Sequence, residues 1–208
     1  MFTYQDLLFM GARGKIGDVM ICSRNGVPFI RRAPGPRKKP PSALQQQQME
    51  KFKLLTQFFK PLIGIFNISF EHAVKNMNCF NKAISENRNV IIGAFPDYKI
   101  DYTRVVLSMV HRPADDAVHV VSLGAGALQF SRKSQLQIPF KGKSRVFFIA
   151  AYCEEVREWR FTLYPEEKSD SSCILEAGVF LNYNVQTYIG FKTITGRPCS
   201  FYSGQLIV

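Results

Sequence analysis

Acid, histidine and tryptophan are all scarce in this chain. Across 208 residues there are 16 Asp and Glu against 27 Lys and Arg, and Trp159 is the single tryptophan. The three histidines are His72, His111 and His119. None is spaced with a second His, a Cys or a carboxylate as a metal set requires, so no metal centre is expected. The five cysteines, Cys22, Cys79, Cys153, Cys173 and Cys199, include no CxxC pair. Their odd number and wide spacing exclude a zinc ribbon, a thioredoxin-type redox site and a dense disulfide framework. They read as reduced thiols packed as small apolar side chains. Long hydrophobic runs are missing too. The stretch from Val146 to Cys153 is among the longest, far short of the ~20 residues of a membrane-spanning helix.

Catalytic signatures are equally thin. Gly11-Ala12-Arg13-Gly14-Lys15-Ile16-Gly17 has the look of a phosphate loop. A phosphate loop, however, places four residues between its first Gly and its Gly-Lys pair, then Ser or Thr. Here two residues intervene and Ile16 follows. There is no GxSxG element. The carboxylate pairs Asp115-Asp116, Glu154-Glu155 and Glu166-Glu167 fall in or near expected turns, and sequence neighbours alone do not make a general acid and base. No catalytic residue, cofactor or small-molecule substrate is identified, and a non-enzymatic role is expected. Met1 to Met10 holds Asp6 and no basic segment before its apolar residues, so no secretory signal is read. The expected address is the cytoplasm, or a virion or extracellular assembly reached without a cleaved signal.

What the chain does have is a folded composition, 46% hydrophobic and 21% charged, and an uneven charge. Residues 1–60 carry 11 basic and 3 acidic groups. Such a field attracts nucleic acid, an anionic surface or an acidic protein face. Within 15–32, Val19, Ile21 and Ser23 alternate with Met20, Cys22 and Arg24 before Asn25-Gly26. That dipeptide favours a type I′ turn, and Val27, Phe29 and Arg31 then continue one face of a two-stranded hairpin. Pro28 confines its strand to an edge. Residues 33–41, APGPRKKPP, form a basic strap that four prolines hold extended.

Ser42 and Gln45 make a capping box for a helix whose Met49, Phe52, Leu55, Phe59 and Leu62 form one apolar stripe. Pro61 kinks or ends it. A second helix is expected after Ser69, with Phe70, Ala73, Met77, Phe80 and Ile84 on one face. From residue 89 the pattern becomes strand-like: 89–95, 99–110, 117–122, 126–131, 135–140, 145–153, 156–164, 171–176, 185–194 and 199–208. Short strands broken by Gly, Pro, Asp or Ser clusters point to an antiparallel β-sandwich of immunoglobulin or fibronectin type. The expected fold is α+β: a basic hairpin and Pro-rich arm over 1–41, two amphipathic helices over 42–88, and a sandwich over 89–208.

The candidate contact residues are the cations of the arm: Arg13, Lys15, Arg24, Arg31, Arg32, Arg37, Lys38 and Lys39, interleaved with Tyr4, Phe9 and Phe29. The leading expectation is a non-catalytic structural or interaction protein that self-assembles or docks into a larger particle through this arm and through edge strands. The alternative is nucleic-acid binding by the same cations and aromatics. A third is a carbohydrate-binding sandwich presenting Trp159, Tyr183 and Tyr188.

Several segments together resemble a Bacteroidota family of short basic proteins known as a domain of unknown function. They are Gly14-Lys15-Ile16-Gly17 with Val19, Asn25-Gly26 leading to Ile30-Arg31, and Lys39-Pro40-Pro41-Ser42 with Gln45 and Phe52. Further on come Pro96-Asp97-Tyr98 with Ile100-Asp101-Tyr102, and Ser200-Phe201-Tyr202-Ser203-Gly204. The resemblance spans essentially the whole chain and implies no catalytic residues. The last strand departs from it at Cys199-Ser200-Phe201-Tyr202. A Gly-rich start, hairpin, Pro-rich strap and helix also look like the front of some tailed-phage structural proteins, which implies an assembly subunit.

Overall fold

A computed structural model describes residues 13–24, 26–36, 39–71, 77–112, 118–124, 126–132, 144–165, 172–193 and 198–208. The chain divides into two compact units, Met1–Ser42 and Ala43–Val208.

In the first unit, strands β1 (Gly14–Ile16), β2 (Val19–Arg24) and β3 (Val27–Arg32) form an antiparallel meander in that order. The expected two-stranded hairpin is therefore extended by a third strand. Gly17, with φ +56°, lets the chain reverse between β1 and β2. Gly26, with φ +82°, sits in the turn before β3, while Asn25 lies outside the described residues. Pro28 is in β3, an edge strand, opposite Ser23.

The second unit is layered. Helices α1 (Ala43–Phe59), α2 (Ile63–Ser69) and α3 (Cys79–Glu86) cover one face of a five-stranded sheet. Its strands are β6 (Val110–Arg112), β9 (Ser144–Cys153), β10 (Glu158–Leu163), β12 (Asn184–Thr193) and β13 (Cys199–Ile207), ordered β10-β9-β12-β13-β6. All pairs are antiparallel except β13 with β6. A three-stranded sheet packs on the other face: β7 (Val118–Ser122), β8 (Ala127–Arg132) and β11 (Ser172–Glu176), ordered β11-β8-β7. Counted from β7, the first, second and fifth strands share one sheet and the third, fourth, sixth and seventh the other. This is a β-sandwich division in which the fourth strand joins the third, where the constant-type immunoglobulin domain places it with the first, second and fifth. A small ribbon, β4 (Ile91–Ile92) with β5 (Lys99–Ile100), borders the helical layer.

The apolar run at 146–153 is explained by its place. β9 is interior and buried on both faces. Phe148, Ala150 and Tyr152 enter the helix-side core, and Ile149, Ala151 and Cys153 enter the core between the sheets. A register shift leaves Phe147 as an extra residue, so Phe147 and Phe148 both face the helices, rings edge-on at 4.8 Å. Gly190 lies opposite, where a Cβ would strike both rings.

Buried polar groups tie the layers together. The Trp159 indole N–H donates to the Phe58 carbonyl at 2.8 Å, pinning β10 beneath α1. Asn87 ends α3: its amide donates to the carbonyls of Ala83 (2.9 Å) and Val106 (2.8 Å), and its Oδ1 accepts from the Val106 N–H (2.7 Å). None of the five cysteines is in a disulfide; Cys153, Cys173 and Cys199 are buried.

Several expectations need correction. The stripe of the first helix is buried only at its C-terminal half: Leu55, Phe59 and Leu62 are in the core, but Met49 and Phe52 are exposed. Past Pro61 the chain continues through a 3₁₀ turn, Lys60–Leu62, into α2, because proline is tolerated in the first turn of the next helix. The second helix expected from Ser69 starts instead at Cys79, where the Asn78 side chain accepts from the Asn81 N–H at 2.7 Å. Met77 is exposed, and Ala73 lies outside the described residues. The long strands expected over 89–95 and 99–110 shrink to Ile91–Ile92, Lys99–Ile100 and Val110–Arg112. Asp101 accepts from Thr103 and turns the chain into a 3₁₀ helix at Tyr102–Arg104. The strand expected at 135–140 lies outside the described residues.

Asn87→Ala removes three hydrogen bonds, one buried and two part-buried, and leaves the Val106 N–H and carbonyl without those partners. Urea denaturation should show a loss of about 2–3 kcal/mol.

Candidate functional site

The arm cations separate in the meander. The register sets Lys15 opposite Met20 and Met20 opposite Arg31, so Lys15 and Arg31 share one face across three strands. Cys22 and Phe29 lie on that same face, one pair further along. The Arg31 guanidinium donates to the Met20 sulfur at 3.5 Å. Arg32, opposite Val19, is on the other face, with Ile16, Ile21 and Ile30. Arg13, Lys15, Arg31, Arg32 and Lys39 are exposed. Arg37, Lys38 and the Arg24 side chain lie outside the described residues. The described strand cations, Lys15, Arg31 and Arg32, therefore divide between the two faces. They alternate with apolar side chains that are themselves exposed: Ile16 at 64%, Val27 at 66% and Ile30 at 54%.

The sugar-platform residues are corrected by the body. Trp159 and Tyr188 are buried, one held to Phe58 and the other donating its hydroxyl to the Tyr102 carbonyl at 2.9 Å. Only Tyr183 of the three is exposed, so no shared surface exists for them. Both buried rings fill the core under α1, where an aromatic residue removes the most apolar area from water.

One feature of the body was not foreseen. A cleft of about 350 Å³ opens between the C-terminal half of α1, the 97–102 segment and the turn joining β9 to β10. Phe58, Tyr98, Tyr102 and Tyr152 give it aromatic walls, and Asp97, Lys99, Glu154 and Arg157 line it with charge. Phe58 meets Tyr152 edge-on at 4.7 Å, Tyr102 lies 5.5 Å from Tyr152, and the Lys51 ammonium sits 5.0 Å over the Tyr98 ring. Burial pushes the Tyr102 phenol up, and the neighbouring Tyr152 and Glu154 add to the rise. Burial raises Tyr152 as well, with Glu154 adding and Arg157 opposing. Both phenols are thus neutral O–H groups over the ordinary pH range.

Arg157 carries strain. Its φ is +58°, the left-handed region, in the four-residue turn between Cys153 and Glu158. A glycine would sit there at less cost. A cation is held in that conformation beside the cleft, and strain of this kind concentrates at working sites.

Residues 11–201 match the Family of unknown function (DUF6266). The chain belongs to this family. The matched region includes the meander, the strap and every residue lining the cleft, and Asp97, Tyr98 and Tyr102 fall within the segments that carried the resemblance noted in the sequence. No curated protein matches the chain. Among the described residues no group of three or more His, Cys, Asp or Glu could hold a metal ion, and no helix is long and apolar enough to cross a membrane.

Two outcomes follow from this DUF6266 cleft. The raised phenols favour the folded state below the ordinary tyrosine pKa of about 10, because the unfolded chain ionises first above it. Stability measured by urea should therefore fall from about pH 10 upward, and Tyr102→Phe should flatten that fall. Arg157→Gly should stabilise the fold by about 1 kcal/mol by relieving the left-handed strain.

Proposed function

We propose that the chain is a non-catalytic structural protein that assembles with copies of itself, or docks into a larger particle, through its basic N-terminal arm and edge strands. The observation that carries this reading is the meander. Among the described residues both outer strands, β1 and β3, are edges, and Ile16, Val19, Val27, Phe29 and Ile30 are exposed between exposed cations. Edge strands with free backbone groups add to a neighbour's sheet, and the apolar side chains supply the area that such an addition buries. The likeness of the front segments to tailed-phage structural proteins supports a virion-like or filament-like context, and that to Bacteroidota proteins supports a bacterial one. A cytoplasmic place of assembly accords with the charge and with cysteines outside any disulfide.

A second reading rests on Lys15 and Arg31 lying beside Phe29 on one face, the pairing of cation and ring used to hold nucleic-acid strands. It requires retention of DNA or RNA at low salt that falls steeply as salt rises and weakens in Lys15→Ala with Arg31→Ala.

Phe29→Asp combined with Ile30→Asp changes exposed side chains only and places charge on the edge strand. Size-exclusion chromatography with light scattering should show a monomer for this variant and for a chain lacking residues 1–41, against an oligomer for the full chain. An unchanged oligomer in both would overturn the reading.

A further inference from the structure

The cleft lies outside the assembly reading, since the meander that carries that reading belongs to the other unit. We propose that the cleft, together with the corner of the sheet beside it, is a binding site for a neutral oligosaccharide.

The site is larger than its hollow. Tyr152 of β9 pairs with Gln186 of β12, and Gln186 pairs with Gln205 of β13. Directly opposed residues share a face, so these three stand in one row on the helix side of the sheet. Asn184, two residues before Gln186, and its partner Ile207 make the next row on that face. Asn184, Gln205 and Ile207 are exposed, so the face that is buried around Tyr188 is open at this corner. Gln186 is oriented there, its Oε1 accepting from the Tyr202 hydroxyl at 2.6 Å. Tyr152 belongs both to this row and to the cleft lining, so a shelf of carboxamides adjoins the cleft.

The lining selects by its chemistry. Asp97 and Glu154 are matched by Lys99 and Arg157, so no net charge draws in an anion or a cation. The Phe58, Tyr102 and Tyr152 rings touch one another, with centroids 4.7, 5.5 and 6.0 Å apart. They leave no gap among them in which an ammonium could be caged. They meet at 40°, 41° and 76°, so no parallel pair among them makes a slot for a flat heterocycle. The ligand that fits is uncharged, carries donors and acceptors together, and has an apolar face. A pyranose has that makeup, with C–H groups over one face and hydroxyls around its edge. Tyr98 and Tyr102 are half-buried and offer ring surface to the C–H face. Arg157 and Lys99 donate, Asp97 and Glu154 accept, and the carboxamides and phenols do both. Burial keeps the Tyr102 and Tyr152 phenols protonated over the ordinary pH range. The hollow of about 350 Å³ is at the small end of ligand sites, and the shelf lengthens it, which suits a chain of sugar rings over a single one. These residues are not the platform of Trp159, Tyr183 and Tyr188; Trp159 and Tyr188 support the site from beneath as core.

Trp159 supplies the readout. It is the single tryptophan, and its ring lies 5.0 Å from those of Phe58 and Tyr152, so its fluorescence reports on the cleft wall. Cellohexaose, maltohexaose, xylohexaose, mannohexaose and N-acetylchitohexaose are titrated into the full chain and followed by fluorescence and by calorimetry. At least one should bind with a Kd under about 1 mM, with little change between low and high salt because the ligand carries no charge. Arg157→Gly, which relieves the left-handed strain and so keeps the fold, should weaken that binding at least ~10-fold. Asn184→Ala, at an exposed position, should do the same at an unchanged urea midpoint. Phe29→Asp with Ile30→Asp should bind as the unaltered chain does. The proposal is overturned if none of the five sugars binds, if binding is indifferent to Arg157→Gly and Asn184→Ala, or if the meander variant abolishes it. Binding of oligogalacturonate alone, removed by salt, would also overturn it, since charge and not the cleft would then be the cause.

Discussion

Burial of the five-stranded sheet on both faces is the constraint on which the body depends. A sheet covered on one side needs alternating residues; one covered on both needs an apolar residue at nearly every position of its interior strands. Strand β9 meets that demand from Val146 to Cys153. Its two sets of side chains hold two separate cores together, one under the helices and one between the sheets. Each large side chain so buried contributes about 1.5–3 kcal/mol, and no disulfide or metal ligand set is found among the described residues. The Trp159 to Phe58 and Tyr188 to Tyr102 hydrogen bonds add orientation to this packing. They fix α1 and the 97–102 segment over the sheet, and thereby set two walls of the cleft.

The cleft is a consequence of where those layers stop. The C-terminal half of α1 is buried and its N-terminal half is not. The turn after β9 reaches the same border and brings Glu154 and Arg157 to it. Aromatic rings that belong to the core on one side, Phe58 and Tyr152 among them, form the cleft wall on the other. The meander of the first unit has the opposite character. It is too thin to enclose a core, and its apolar residues divide between two faces with cations among them. A three-stranded sheet is independently stable when its apolar residues share one face or pack on another element, and here they are divided between two faces.

Much of the architecture was legible in the residues because period and punctuation are local signals. Gly26 falls in the turn between β2 and β3, and the described strands from Val118 onward lie within two residues of their expected bounds. The charged, Pro-rich strap was equally plain. What failed were features set by distant neighbours. Whether Met49 and Phe52 are buried depends on which elements pack there, not on helical spacing. The strands expected near 99–110 were displaced by a local competitor, the Asp101 side chain bonding to Thr103. Trp159 and Tyr188 were read as surface aromatics because residue type does not reveal which face of a strand a helix will cover. The cleft could not be read at all, since its lining comes from three separated segments. Its only sequence trace was the tyrosines at 98 and 102 beside Asp97 and Asp101.

The claim at the centre of this account is that the first 42 residues find their partner on another molecule. Amide hydrogen exchange of the full chain, followed by mass spectrometry at increasing protein concentration, tests it most directly. The account predicts that β1, β3 and the strap become more protected as concentration rises, while β9 and β12 stay equally protected throughout. Protection of β1, β3 and the strap that is high and independent of concentration would contradict it.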